Sequence, residues 1–280
     1  HKTYAILFLM KLCVLASGSK GNCIYVASQD VHLLVDVGLS CKETVARLHA
    51  IGVEPEQIRG ILITHVHIDH IKGLLQFASR YHVQIYARAE VVMYLLEKCA
   101  GIPKQQFTPF YQNDFYIESV TVSPFEVSHD ALCCVGFSLY AEGQKISIAT
   151  DLGYVNSRIL QNMAHADIVV LESNYDTSKL MSGPYPYATK VRIRSNKGHL
   201  SNEDCADAIA QLCQGGTKTF LLAHMSENNN TEEIALYVTA SALYRAGVPV
   251  QEIYLEVAKQ HSVGKLFEIK KGEGYDQFEE

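Results

Sequence analysis

The chain has 280 residues, 48% of them apolar and 19% charged, with 18 glycines and 7 prolines. This is globular composition, and it excludes a disordered chain, a collagen-like repeat and a coiled coil. The net charge of −6 excludes a protein that is basic all over, but leaves room for a local basic stripe.

The apolar run Tyr4–Met10 is interrupted by Lys11, and Met10-Lys11 looks like a natural start. Residues 1–9 therefore read as an upstream or added extension ahead of one domain over 10–280. No segment reaches the ~20 apolar residues of a membrane span. Eight cysteines without a C-x-x-C pair read as buried thiols of a reducing cytoplasm. Cys133 and Cys134 would point in opposite directions on a strand.

Three strands open the chain: Leu12–Ala16, Cys23–Ala27 and His32–Asp36, separated by the turns Ser17–Asn22 and Ser28–Asp30. Ser40 starts a helix, with Glu43 completing a capping box and Gly52 ending it. Gly60–Thr64 is an apolar strand leading into a histidine-rich loop. A helix to about Arg80, a strand at Val83–Ala87 and a helix at Ala89–Cys99 follow. Residues 115–127, 131–140 and 144–149 read as antiparallel strands, the last two joined at Glu142-Gly143. Next come a helix near 156–164, the strand Ile168–Leu171, and a polar stretch 173–199 with a short helix. Ser201 with Asp204 caps another helix, followed by strand Thr219–Ala223, helix Thr231–Ala246 and strand Glu252–Leu255. Strand meanders in each half, flanked by helices, predict an α/β fold of two face-to-face sheets inside helical layers.

The segment Thr64-His65-Val66-His67-Ile68-Asp69-His70 carries four metal-competent side chains in six residues, directly after a buried strand. His65 and His67 project the same way and can reach one cation at ~2.0–2.1 Å, while Asp69 and His70 can face a neighbouring one. The competing reading, a solvated polar turn, does not require three imidazoles between two apolar segments.

This H-x-H-x-D-H signature resembles that of the metallo-β-lactamase superfamily, whose fold is an αββα four-layer sandwich with a dinuclear site at one sheet edge. The resemblance implies that His129 completes the His65/His67 site, that Asp151 bridges, and that His224 joins Asp69 and His70. It also implies that Asp36 orients ligands from behind. Two divalent ions, zinc or manganese, are the expected cofactors. Ala16–Asn22, Thr150–Gly153 and Leu171–Asn174 are similar to the bacterial YycJ/WalJ group, which implies a 5′-to-3′ DNA exonuclease. His199 looks like the extra histidine of the superfamily's phosphodiesterases, which serves the scissile phosphate.

From Lys179 to His199 there are five cations and no acid. Lys190, Arg192, Arg194 and Lys197 are candidates to bind phosphate, and Tyr185 and Tyr187 to stack on bases. A solvated helix face is the plain alternative. Only 47 residues separate Asp151 from His199, too few for the inserted domain of the superfamily's large ribonucleases. There is no long Gly-rich arm either, so DNA is favoured over structured RNA. The expected catalytic set is Asp69 holding a metal-bridging hydroxide, His199 serving the leaving oxygen, and Glu172 orienting His199. A small-molecule hydrolase for a cyclic phosphodiester, thioester or lactone is one alternative, and a metal-containing regulatory protein another.

Overall fold

A computed structural model describes residues 10–29, 31–99 and 101–269. The expected extension at 1–9, and the expected domain beyond 269, lie outside them. The order is β1 (Lys11–Ala16), β2 (Cys23–Ser28), β3 (Val31–Val35), α1 (Cys41–Ala50), β4 (Ile58–Leu62), α2 (Ile68–Ile71), α3 (Leu74–Tyr81), β5 (Gln84–Arg88), α4 (Ala89–Lys98) and β6 (Phe107–Phe110). Then follow β7 (Phe115–Ile117), β8 (Val120–Glu126), β9 (Val135–Ala141), β10 (Gln144–Ala149), α5 (Ser157–Met163), β11 (Ile168–Glu172), α6 (Thr177–Ser182), α7 (Tyr187–Ile193), α8 (Asn202–Gln214), β12 (Thr219–Ala223), α9 (Glu232–Arg245), β13 (Tyr254–Val257) and β14 (Phe267–Glu268).

The strands form two seven-stranded mixed sheets, β14-β1-β2-β3-β4-β5-β6 and β13-β12-β11-β10-β9-β8-β7. In the first, β3 to β6 run parallel; in the second, β10 to β13 do. Period-2 alternation explains the layering. Leu12 and Val14 of β1 face the second sheet, while Cys13 and Leu15 face α1, α3 and α4. On β11, Ile168 and Val170 face the first sheet, while Val169 and Leu171 meet α5, α8 and α9. Both faces of each central strand are covered, so these strands read as continuous apolar runs. The result is the expected αββα sandwich. Among the described residues, no helix is long and apolar enough to cross a membrane.

Several expectations shift for local reasons. Strand β6 escapes the pattern because Pro109 cannot donate to a ladder, and it sits at a sheet edge where that is tolerated. Strand β14, at two residues, is too short to show a period. The run 115–127 folds back at Glu118, whose φ is 52°, and so makes two strands. Residues 131–134 are a turn, with Cys133 at φ 47°, so Cys133 and Cys134 are not on a strand. The helix expected after the histidine loop divides into α2 and α3, and the stretch 173–199 holds two helices rather than one. The last long strand begins at Tyr254, after a 3₁₀ turn. Ser40 caps α1 as expected, but the Glu43 carboxylate pairs with Arg47 at 2.9 Å. Glu142 and Gly143 both have positive φ, the requirement of a type I′ hairpin. All eight cysteines are free thiols, six of them buried.

Candidate metal centre

The site lies where strands of both sheets end. Asp36 follows β3, His65 lies just past β4, His129 past β8 and Asp151 past β10; Glu172 closes β11 and His224 follows β12. Carboxyl ends of parallel strands are where such folds gather ligands, because the chain diverges there and leaves a crevice. Asp36, Asp151 and His224 hold left-handed backbones, with φ of 61°, 57° and 52°. This conformation is costly away from glycine and here turns each side chain back toward the crevice.

Two sets of inward-facing atoms result. In the first, Nδ1 of His67 lies 3.2 Å from Nε2 of His65 and 3.3 Å from Nε2 of His129. In the second, Oδ2 of Asp69 lies 3.7 Å from Nε2 of His70 and 3.6 Å from Nε2 of His224. Asp151 stands between the sets. Its Oδ2 is 3.1 Å from Nε2 of His70, and its Oδ1 is 3.5 Å from Nε2 of His129 and 3.4 Å from Nδ1 of His224. Donors each ~2.05 Å from a tetrahedral cation sit about 3.3 Å apart, the spacing found within the first set. Oδ2 of Asp151 and Nε2 of His224 are buried and make no aligned hydrogen bond. The donor set therefore fits divalent metal.

The outer ring nitrogens of His65, His70, His129 and His224 are engaged, which turns the opposite nitrogens inward. Nδ1 of His70 meets Oδ2 of Asp36 at 2.7 Å, Nδ1 of His129 meets the Gly198 carbonyl at 2.9 Å, and Nδ1 of His65 meets the Thr64 hydroxyl at 3.0 Å. Asp36 also accepts from the Thr64 amide and hydroxyl, at 2.9 and 2.7 Å. Glu172 places Oε1 2.8 Å from Nδ1 of both His199 and His224, while Oε2 accepts from the Leu152 and Leu200 amides.

Charge follows contact. Burial and then the neighbouring His70 hold His65 well below the usual imidazole range, and burial with His129 lowers His67. Burial opposes charge on His70 as well, yet Asp151 and Asp36 carry it up to about 10. His224 rises well above its ordinary value, Asp151 outweighing burial, and Asp151 falls well below its own, with His224 and His70 outweighing burial. His199 rises because Glu172 overcomes desolvation.

Three residues at the site were not singled out from the sequence. Asn22 donates through its backbone to the Asp69 carbonyl at 2.8 Å, and its Nδ2 lies 3.0 Å from Nε2 of His70. Thr64 joins Asp36 to the histidines. Asp130 places Oδ1 3.5 Å from Nε2 of His129 and receives Nε of Arg192 on Oδ2 at 2.6 Å. No periodicity marks such contacts; Thr64 and Asp130 adjoin His65 and His129 in the chain, and Asn22 closes the Ala16–Asn22 segment.

The basic stretch is not one uniform surface. Arg192 is held by Asp130, and the Lys190 ammonium donates to the Met181 and Gly183 carbonyls at 2.8 and 2.7 Å. Arg194 and Lys197 are exposed. Tyr185 lines a pocket with His199 and His224, whereas Tyr187 lines a separate one with Lys190 and Arg194.

Residues 32–225 match the beta-lactamase superfamily domain. The chain is 38% identical over 242 residues to exodeoxyribonuclease YycJ of Bacillus anthracis, covering 86% of this chain and 92% of that protein. It is 35% identical over 245 residues to exodeoxyribonuclease WalJ of Streptococcus pneumoniae, covering 86% and 90%. The metallo-beta-lactamase fold protein YhfI from Bacillus subtilis superposes with a TM-score of 0.71 at 18% identity, over 93% of this chain and 99% of that one, a likeness of fold. With the sandwich, the His- and Asp-bearing strand ends and these relatives in agreement, the chain belongs to the metallo-β-lactamase superfamily, in its YycJ/WalJ group.

Proposed function

We propose that this protein is an exodeoxyribonuclease that hydrolyses phosphodiester bonds from the 5′ end of DNA with two divalent cations, zinc or manganese. The observation that carries this reading is the pair of converging donor sets joined by Asp151. His65, His67 and His129 would hold one cation, and Asp69, His70 and His224 the other, with Asp151 shared. Bound there, divalent cations supply Lewis acidity and bring coordinated water to a pKa of about 7. Relatives named exodeoxyribonucleases support DNA as the substrate.

The chain's own groups do the rest. Asp69, with its side chain 18% exposed, accepts a hydrogen bond from the attacking water and aims it. Asp36 fixes the His70 ring from behind. His199, its Nδ1 committed to Glu172, offers the other ring nitrogen to the leaving oxygen. Arg194 and Lys197 meet the strand's phosphates, while Arg192 and Lys190 brace the loop that carries them. The free thiols suit a reducing cytoplasm.

The test is turnover of 5′-phosphorylated, end-labelled DNA and RNA with Mn²⁺ or Zn²⁺, beside Asp69→Asn. Stepwise release of nucleotides from DNA, lost in the variant while the melting temperature holds, is expected. A metal-loaded protein that cuts neither strand type would return the site to small esters or phosphodiesters.

A further inference from the structure

A cavity of about 150 Å³ opens directly against His199 and His224. Tyr185 and Ile193 form apolar walls, and Ser19, Asn174 and Asn228 supply uncharged polar edges. Among the described residues no lysine or arginine lines it. Its one carboxylate, Glu227, is engaged by Lys20 at 2.7 Å and His261 at 2.6 Å. These lining residues offer a phosphate no lysine or arginine. A flat, neutral group with hydrogen-bonding edges matches their apolar walls and uncharged polar rim.

We infer that this pocket receives the terminal nucleoside of the strand, with the Tyr185 ring as its stacking wall. The inference rests on the exonuclease reading and adds to it the group that is recognised. The ring is held in place for this, because Asn228 Nδ2 donates to its hydroxyl at 2.8 Å. The backbone amide and Nδ2 of the next residue, Asn229, both donate to Ser226 Oγ at 3.2 Å and steady the same loop.

Charge limits the pocket to one nucleoside. Beyond Met225, Ser226 and Glu227 it adjoins a groove of about 500 Å³ that carries Glu232 and Glu233, and Lys259 there is already paired with Glu232. A polyanion is repelled in that direction and drawn toward Arg194 and Lys197 instead. The water oxygen bonds to phosphorus and passes its proton to Asp69 as the P–O3′ bond breaks, and O3′ takes a proton from His199, so no net proton is consumed. With cleavage from the 5′ end, the nucleoside bearing that O3′ is the terminal one, and it sits in the pocket beside His199.

The test is calorimetric titration of 2′-deoxyadenosine 3′-monophosphate and of 2-deoxyribose 3-phosphate into the metal-loaded protein, Tyr185→Ala and Tyr185→Phe, since a phosphate on O3′ held at the cations leaves the base to the pocket. In the unmodified protein the 3′-nucleotide should bind about tenfold tighter than the sugar phosphate, the size of one base–aromatic stack. Tyr185→Ala should erase the difference, and Tyr185→Phe should keep most of it. Equal affinities in the unmodified protein, or a gain that survives Tyr185→Ala, would overturn the pocket. A base-dependent gain in a protein that leaves DNA uncut keeps the pocket and discards the exonuclease reading. DNA cleavage without such a gain does the reverse.

Discussion

Nδ1 of His224 lies 2.8 Å from Oε1 of Glu172, a carboxylate with no solvent exposure. The same oxygen lies 2.8 Å from Nδ1 of His199. One buried carboxylate thus orients both a candidate ligand and the candidate proton donor. Glu172→Gln presents an amide N–H where two donors already point. It should lower metal affinity or turnover about 10–100-fold with the fold retained. His199→Ala should slow phosphodiester hydrolysis with metal content unchanged. Metal analysis beside kcat separates the two, and metal loss from His199→Ala would make that residue a ligand instead.

Metal loading should release protons. In the metal-free protein His70, raised to about 10 against burial by Asp151 and Asp36, is protonated at pH 8. Ligation requires the neutral ring. Its proton must therefore leave, and apparent metal affinity should climb as pH rises toward 10. Zinc titrations in two buffers of different ionisation enthalpy count the protons. Asp36→Asn removes one of the two carboxylates and should reduce the count at pH 8. An unmodified protein that releases none would contradict a charged His70.

Gly38 is needed for space rather than flexibility. A Cβ there would lie 1.6 Å from the Asp69 carbonyl and 2.6 Å from the Asn22 amide, which are themselves hydrogen-bonded at 2.8 Å. Gly38→Ala should destabilise the protein by about 1–3 kcal/mol and displace Asp69. Asn22→Ala removes a side chain that reaches His70 and Gly18, and should cost about 1 kcal/mol while weakening metal binding. Denaturant midpoints with metal stoichiometry test both; a harmless Gly38→Ala would show that the two loops need not touch.

The cations should divide by what they touch. Replacing Arg194 and Lys197 with alanine should weaken DNA binding and flatten the dependence of log K on log salt by about 1.4–1.8 in slope. Lys190→Ala, whose ammonium already serves two carbonyls, should leave the slope alone and loosen the loop. Identical slopes in all three proteins would return the stretch to a solvated helix face.

Much of the fold was legible because its signals are local. Central strands such as β11 and β12 are covered on both faces and read as apolar runs, and Ser40 and Ser201 marked helix starts through hydrogen bonds three residues long. Strands β6 and β14 were not, since pairing with β5 and β1 creates them rather than their own composition. In the same way 115–127 read as one strand, because a left-handed turn at Glu118 leaves no mark in an alternating pattern.

The sequence by itself determined the histidine loop 65–70, whose donors are neighbours in the chain. It also determined that Asp36, His129, Asp151 and His224 each stand at or just beyond a strand end. Tertiary structure alone decided the contacts that give those residues their states. Glu172 against His224, Asn22 against Asp69 and His70, and Arg192 on Asp130 join residues 47 to 62 positions apart. Such contacts exist because two sheets end at one edge and their loops meet there. A linear pattern records which side chains are present, while charge, proton position and the shape of the pocket beside Tyr185 depend on distances that only packing sets.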